Sequence, residues 1–258
     1  RFARLGRSSA VFNITNRRGY DNQPYWENNE RILYTSQDAG QTDIYDIDFN
    51  FSRISRVTST PESEYSAALT PDGRAIAVIR VERDSTQRLW RFPRTGSRPS
   101  PVLNDIKPVG YFAWLDTTTL ALFVLGNPNT LQIADTRTGL ARVVTTNIGR
   151  SIQRVPGGRR ASYLHRVGGR WMLETVDPQP RNDETFDIAT IGPMPDSADF
   201  VVWKSPTELY TAAGSRILRM KLPDLTWTLV EDLSSKGIRR ISRLALSPDG
   251  SRLALVAD

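Results

Sequence analysis

Short apolar runs of four to seven residues recur along this chain in groups of four, and the groups repeat with a period in the forties. One apolar position closes the first run of each group: Trp26, Leu69, Trp114, Val155, Trp203 and Leu246, at spacings of 43, 45, 41, 48 and 43 residues. Clusters of Gly, Pro, Asp, Asn and Ser separate the runs, and no long stretch carries the 3.6-residue stripe of an amphipathic helix. Four strands per repeat of this length is the pattern of a β-propeller blade. At that period 258 residues make six blades. The expected fold is therefore all-β: one domain, 1–258, forming a six-bladed β-propeller of four-stranded antiparallel blades. The blades fall near 22–60, 61–104, 105–147, 148–192, 193–236, and 237–258 plus 1–20. The C-terminal stretch ISRLAL, SPDG, SRLALVA is only half a unit, so the last blade is expected to be closed by N- and C-terminal strands. RFARL would be its third strand and SAVFNIT its fourth, which removes an open sheet edge.

The turns TPDG (70–73) and SPDG (247–250) have a stereochemical reason to sit between first and second strands. Pro71 and Pro248 preset φ near −65°, Asp72 and Asp249 accept from backbone N–H groups, and Gly73 and Gly250 take positive φ without cost. Strand–PDG–strand followed by G-x-x-D-I-Y-x-I-D, which runs from Gly40 to Asp48, resembles the PD40 (WD40-like) repeat of the TolB-type β-propellers of bacterial envelopes. Asn16 to Thr60 is similar to an opening blade of such proteins, and TPESEYSAALTPDGR to the next. The likeness is strong in units one, two and six; units three to five lack the PDG turn, and there the fold rests on spacing. The resemblance implies a non-enzymatic, protein-binding scaffold in the bacterial periplasm. Such a protein is a free adaptor or an accessory subunit of an envelope or inner-membrane complex, such as a respiratory or photosynthetic one. The same repeat also builds the propeller of certain serine peptidases, whose hydrolase domain has no counterpart here. Because the chain opens at Arg1 without a visible signal peptide, a signal or anchor segment is expected to have been lost upstream.

Composition narrows the chemistry. With no Cys there is no disulfide, thiolate nucleophile or Cys-based metal site, and His165 is the only histidine. No G-x-S-x-G elbow is present; Gly6-Arg-Ser8-Ser-Ala10 and Gly149-Arg-Ser151-Ile are the nearest strings. His165 ends a strand before the Gly168–Gly169 turn, and with no local carboxylate to orient it the expectation is a structural histidine. Asp38, Asp43, Asp46 and Asp48 crowd the first unit but lack the alternating ligands and closing Glu of a calcium loop, so a solvated turn is expected. Trp26, Trp114 and Trp203 share one blade position and read as packing anchors between blades rather than a ligand cage. No cofactor and no metal are expected. The alternative is a propeller enzyme (lyase, lactonase or glycosidase) that gathers distant acids in the central funnel. Convergent carboxylates there would favour it, whereas apolar and Arg side chains would count against it.

The net charge is +6, and only Lys107, Lys204, Lys221 and Lys236 among the 34 basic residues are lysines. This balance suits an acidic partner, or simply the arginine preference of a GC-rich genome. The acid-free stretches 1–20 and 150–170 are not tight arginine clusters interleaved with stacking aromatics, so no nucleic acid is expected. No apolar run approaches the ~20 residues of a membrane span. In a propeller the inter-blade loops share one face around the funnel mouth. Here they bring Arg17, Arg18, Tyr20, Tyr65, Lys107, Tyr111, Arg150, Lys236, Arg239 and Arg240 to one rim, against only Asp21, Glu62, Glu64 and Asp105. Arginine with tyrosine is the composition of protein-binding hot spots. The rim is therefore the expected docking surface for an acidic protein segment, although Arg-rich loops also serve solubility alone.

Overall fold

The computed structural model describes residues 2–4, 11–95 and 98–258. Arg1, Leu5 and 6–10, which include the Gly6–Ala10 string and the first residues of the expected outer N-terminal strand, lie outside the described residues, as do 96–97. Among the described residues, six four-stranded antiparallel sheets account for all the strands. Five are propeller blades, each cut from one contiguous stretch of chain. Blade 1 comprises Asp21–Asn28, Arg31–Asp38, Gln41–Asp48 and Arg53–Arg56. Blade 2 comprises Ser63–Leu69, Ala75–Val81, Gln87–Pro93 and Ser100–Pro101, and blade 3 Val109–Trp114, Thr119–Val124, Thr130–Asp135 and Leu140–Thr146. Blade 4 is Ile148–Arg154, Ala161–Val167, Arg170–Val176 and Ile188–Pro193, its last strand having no clear sequence signal. Blade 5 is Val201–Ser205, Glu208–Ala213, Arg216–Lys221 and Thr228–Asp232. The sixth sheet is composite: Ile241–Leu246 and Arg252–Ala257 pair with Phe2–Arg4 and Val11–Phe12. Phe2 stands opposite Ala254 on one side and Phe12 on the other. Propeller architecture and four-stranded antiparallel blades are thus as the spacing implies; five blades are seen where six were expected.

Burial explains the residue pattern within a blade. Second strands are covered on both faces by neighbouring sheets, and Thr119–Val124 is buried at every position. This is why such strands read as continuous apolar runs rather than alternating ones. Fourth strands form the outer edge and expose Leu140, Val143, Leu229 and Ile54. The apolar clusters lie between sheets: Leu33, Ile44 and Val78 join blades 1 and 2, and Leu115, Ile152 and Tyr163 join blades 3 and 4. Ile217, Leu244 and Leu253 join blade 5 to the composite sheet, and Trp26, Ile32 and Ala254 join that sheet to blade 1.

The PDG turns close as their chemistry requires. Gly73 N–H donates to Thr70 O at 2.8 Å and Gly250 N–H to Ser247 O at 2.8 Å, with φ of 67° and 69° at the two glycines. Thr70 Oγ1 and Ser247 Oγ each donate to the aspartate of their turn at 2.6 Å. Two of the tryptophans are inter-blade anchors. Trp26 Nε1 donates to Ala245 O at 3.0 Å across to the composite sheet, and Trp203 Nε1 to Ser162 Oγ at 2.8 Å across to blade 4. Trp114 Nε1 is buried with no hydrogen-bond partner. Among the described residues no helix is long and apolar enough to cross a membrane.

Candidate functional site

First strands contact one another between blades 1 and 2, 3 and 4, and 4 and 5, and that of the composite sheet touches those of blades 5 and 1, with an axial channel beside them. A cavity of about 240 Å³ within it is lined from five of the sheets and by Phe200 just before blade 5, with Tyr25, Leu69, Tyr111, Arg150 and Arg243 among the lining and no carboxylate. Most of these strands carry a register shift beside the channel: between Asn22 and Tyr25, Tyr65 and Ala68, Val109 and Tyr111, Ile148 and Ile152, and Ile241 and Arg243. An extra residue of this kind bends a strand and re-aims its side chains. Gly110 marks one such shift, and a Cβ there would lie 3.0 Å from the Phe123 ring. Gln23 and Ser66, one repeat apart, both adopt left-handed backbone, with φ of 54° and 55°. Gln23 Oε1 accepts from Thr35 Oγ1 at 2.7 Å and from Ser66 N–H at 3.1 Å, while Ser66 Oγ is buried without a partner.

Arg243 is the residue the sequence did not single out. It is 6% exposed, and its Nη2 donates to Tyr111 Oη at 2.8 Å. Its guanidinium carbon sits 4.8 Å from the Tyr111 ring centroid and 5.1 Å from that of Phe200. Among the described residues no carboxylate lies within ion-pair distance. Burial pulls its pKa below the usual arginine range, opposed by Tyr111 and reinforced by Arg150.

Four of the expected rim residues gather with Arg243 at this end of the channel. Tyr20, Tyr65 and Tyr111 are close enough to interact electrostatically, and burial raises the Tyr20 phenol against the pull of Arg243. Arg150 is drawn down by burial but held up overall by Asp199 at 3.0 Å. The other rim residues are exposed and stand outside the channel lining. Arg17 and Arg18 border a separate cleft of about 340 Å³ beside Val256 and Ala257. Arg17 is engaged by Asp21 at 3.3 Å, whereas Arg18, Lys107, Lys236, Arg239 and Arg240 have no ion-pair partner among the described residues. Of the four acids in these loops, Asp21 is taken by Arg17, Glu62 by Arg80 and Arg83, and Glu64 is fully buried. Asp105 remains exposed.

One reading of the sequence needs correction. His165 does have a carboxylate beside it: Nδ1 lies 3.0 Å from Glu174 Oε2, to which Tyr163 Oη also donates at 2.7 Å. Burial, then Glu174, raises the Tyr163 phenol above its ordinary value. The Gly168–Gly169 hairpin places Tyr163 directly opposite Glu174 and His165 on the diagonal, so the pair follows from antiparallel register. None of the three lines the channel. Three of the four acids of blade 1 are paired separately: Asp43 binds Arg56 at 2.5 Å, and Asp48 and Asp46 share Arg31 at 2.5 and 3.6 Å, while Asp38 is exposed. Among the described residues no three His, Asp or Glu side chains converge as metal ligands. Ser151, of the nearest elbow-like string, is fully buried and accepts from Val201 N–H at 3.1 Å, tying blade 4 to blade 5.

No known sequence family matches the chain, and no curated protein does. Solved structures do. A putative TolB from Agrobacterium tumefaciens superposes with a TM-score of 0.70 at 15% identity over 93% of this chain and 91% of its own. TolB from Acinetobacter baumannii gives 0.57 at 20% identity, over 72% of this chain and 46% of its own. An oligogalacturonate lyase in complex with manganese gives 0.58 at 15% identity, over 91% and 69%. At these identities the likeness is one of fold, and it agrees with the repeat read from the sequence: the chain has the fold of the TolB-type β-propellers.

Proposed function

We propose that this chain is a non-enzymatic protein-binding propeller of the bacterial periplasm, an adaptor or accessory subunit of an envelope or inner-membrane complex. Its docking surface is the basic rim, and its partner presents an acidic segment or face. The observation that carries the reading is the imbalance at the rim. Arg18, Lys236, Arg239 and Arg240 stand exposed without carboxylate partners, while three of the four loop acids are paired or buried. Uncompensated cations around a funnel steer and orient an acidic partner. Similarity of fold to TolB proteins supports a periplasmic binding role. A channel lined by aromatic, apolar, neutral polar and arginine side chains, with no carboxylate, weighs against a funnel enzyme despite the lyase of similar fold.

In the same reading the composite sheet is the sixth blade and closes the ring. Supporting this, Ile241–Leu246 touches the first strands of both blade 5 and blade 1, and Trp26 bonds to it. The test is cross-linking in intact cells of the native host, followed by purification of the tagged protein and of an Arg18→Glu, Arg239→Glu, Arg240→Glu variant. A stoichiometric partner captured by the wild type and lost from the variant is expected. Equal capture by both removes the rim from the interface.

A further inference from the structure

The axial cavity encloses a positive charge that no carboxylate of the described chain neutralises. We propose that Arg243 anchors a binding site for a small monocarboxylate inside the channel, a site separate from the exposed rim and independent of any protein partner there. Tyr111 and Phe200 lie against the guanidinium group, which leaves its N–H edge as the face to be satisfied. Of the five donors of an arginine, one is used by Tyr111. A planar fork with free donors matches the two oxygens of a carboxylate, and a charge-assisted pair of this kind is the strong form of the hydrogen bond.

Further features point the same way. The strand bulge between Ile241 and Arg243 and that between Val109 and Tyr111 bring the cation and its hydroxyl partner together from opposite parts of the chain. Ser66 Oγ, also on the channel lining, is buried without a hydrogen bond and can serve a ligand oxygen. Of the other lining cations, Arg150 is matched by Asp199 and Arg154 is exposed and donates to Gly158 O, so Arg243 is the one buried cation left unmatched. A monoanion balances it, whereas a phosphate at neutral pH brings nearly two negative charges. The cavity, about 240 Å³, is of a size that suits a small acid. Tyr25, Leu69, Phe200 and Leu244 favour one with a flat apolar body.

The test titrates the protein calorimetrically with benzoate, with benzamide, which has the same shape without the charge, and with inorganic phosphate. Benzoate is expected to bind and to raise the thermal midpoint, with benzamide weaker by about tenfold or more. Arg243→Gln should weaken benzoate about 10- to 100-fold and leave benzamide unchanged. Arg243→Lys keeps the charge but loses the fork, and should fall between them. No benzoate binding, equal binding of benzoate and benzamide, or retention of affinity by Arg243→Gln overturns the site. Tighter binding of phosphate than of benzoate overturns the ligand class. If Arg243→Gln does not fold, the wild-type comparison of benzoate with benzamide decides by itself.

Discussion

Glu64 offers a direct measure of how the inter-blade packing treats charge. It lies on the first strand of blade 2, with its carboxyl fully buried. Thr60 Oγ1 donates to Oε1 at 2.5 Å, but Oε2 is buried without a partner. Arg80 Nε stands 3.5 Å from Oε1 while the same guanidinium is bound by Glu62. Burial raises the pKa to about 7 from 4.5, and Thr60 and Arg80 offset it only in part. The folded protein therefore holds this proton more tightly than the unfolded chain does. Stability from this group is complete below about pH 4.5 and is lost as pH rises through about 7. At ~1.4 kcal/mol per pH unit, and discounted for the partly solvated surroundings of the carboxyl, the displacement amounts to ~2 kcal/mol. Glu64→Gln keeps the shape and removes the ionisation. Urea unfolding followed by tryptophan fluorescence at pH 4.5 and pH 8 should show wild type losing ~2 kcal/mol more than the variant over that interval. Parallel pH profiles, or a variant that loses stability faster than wild type, would show that Glu64 is not held protonated by burial.

Other substitutions probe the joints between sheets. Trp26→Phe removes the indole bond to Ala245 O and leaves a void, and should cost about 2 kcal/mol in urea unfolding. Native-state hydrogen exchange should then show faster opening of Phe2–Arg4 and Arg252–Ala257, the strands behind that joint. Gly110→Ala places a methyl 3.0 Å from the Phe123 ring and should cost about 1–3 kcal/mol in thermal or urea unfolding, with Tyr111 displaced from Arg243. Benzoate affinity in that variant should fall with it; unaltered stability and affinity together would mean the bulge does not set the channel geometry.

The blade pattern was legible because each strand's environment is stereotyped. Apolar runs such as LALFV belong between neighbouring sheets, and a PDG turn needs positive φ at its glycine, as Gly73 and Gly250 have. The recurrent tryptophan was legible for the same reason, since one position per blade faces the next sheet, as Trp26 and Trp203 do. The fourth strand of blade 4 was not, because Ile188–Pro193 is an exposed edge with little apolar demand. Glu174 could have been paired with His165 by folding the sequence about Gly168–Gly169, since antiparallel register alone sets that diagonal. Arg243 could not have been found in this way. Its strand reads ISRLAL, and plain alternation would pair it with Ile241 on one face. The bulge at that point changes its aim, and its environment comes from Tyr111 and Phe200, far away in sequence.

That division has a physical origin. The core of this protein lies between sheets, where Leu, Ile and Val from second and third strands pack without polar demands. The first strands contribute less to it and are free to bulge toward the axis. A left-handed Gln23 and Ser66 or an unneutralised Arg243 is costly, of order 1–3 kcal/mol for each strained residue. Such features persist only where the surrounding structure over-determines them, and six inter-sheet clusters supply that constraint. The axis is therefore where this fold can store unmet polar capacity. Replacing Arg243 by a neutral residue should separate the two roles: the inter-sheet clusters stay intact while the affinity of the channel for a carboxylate is lost.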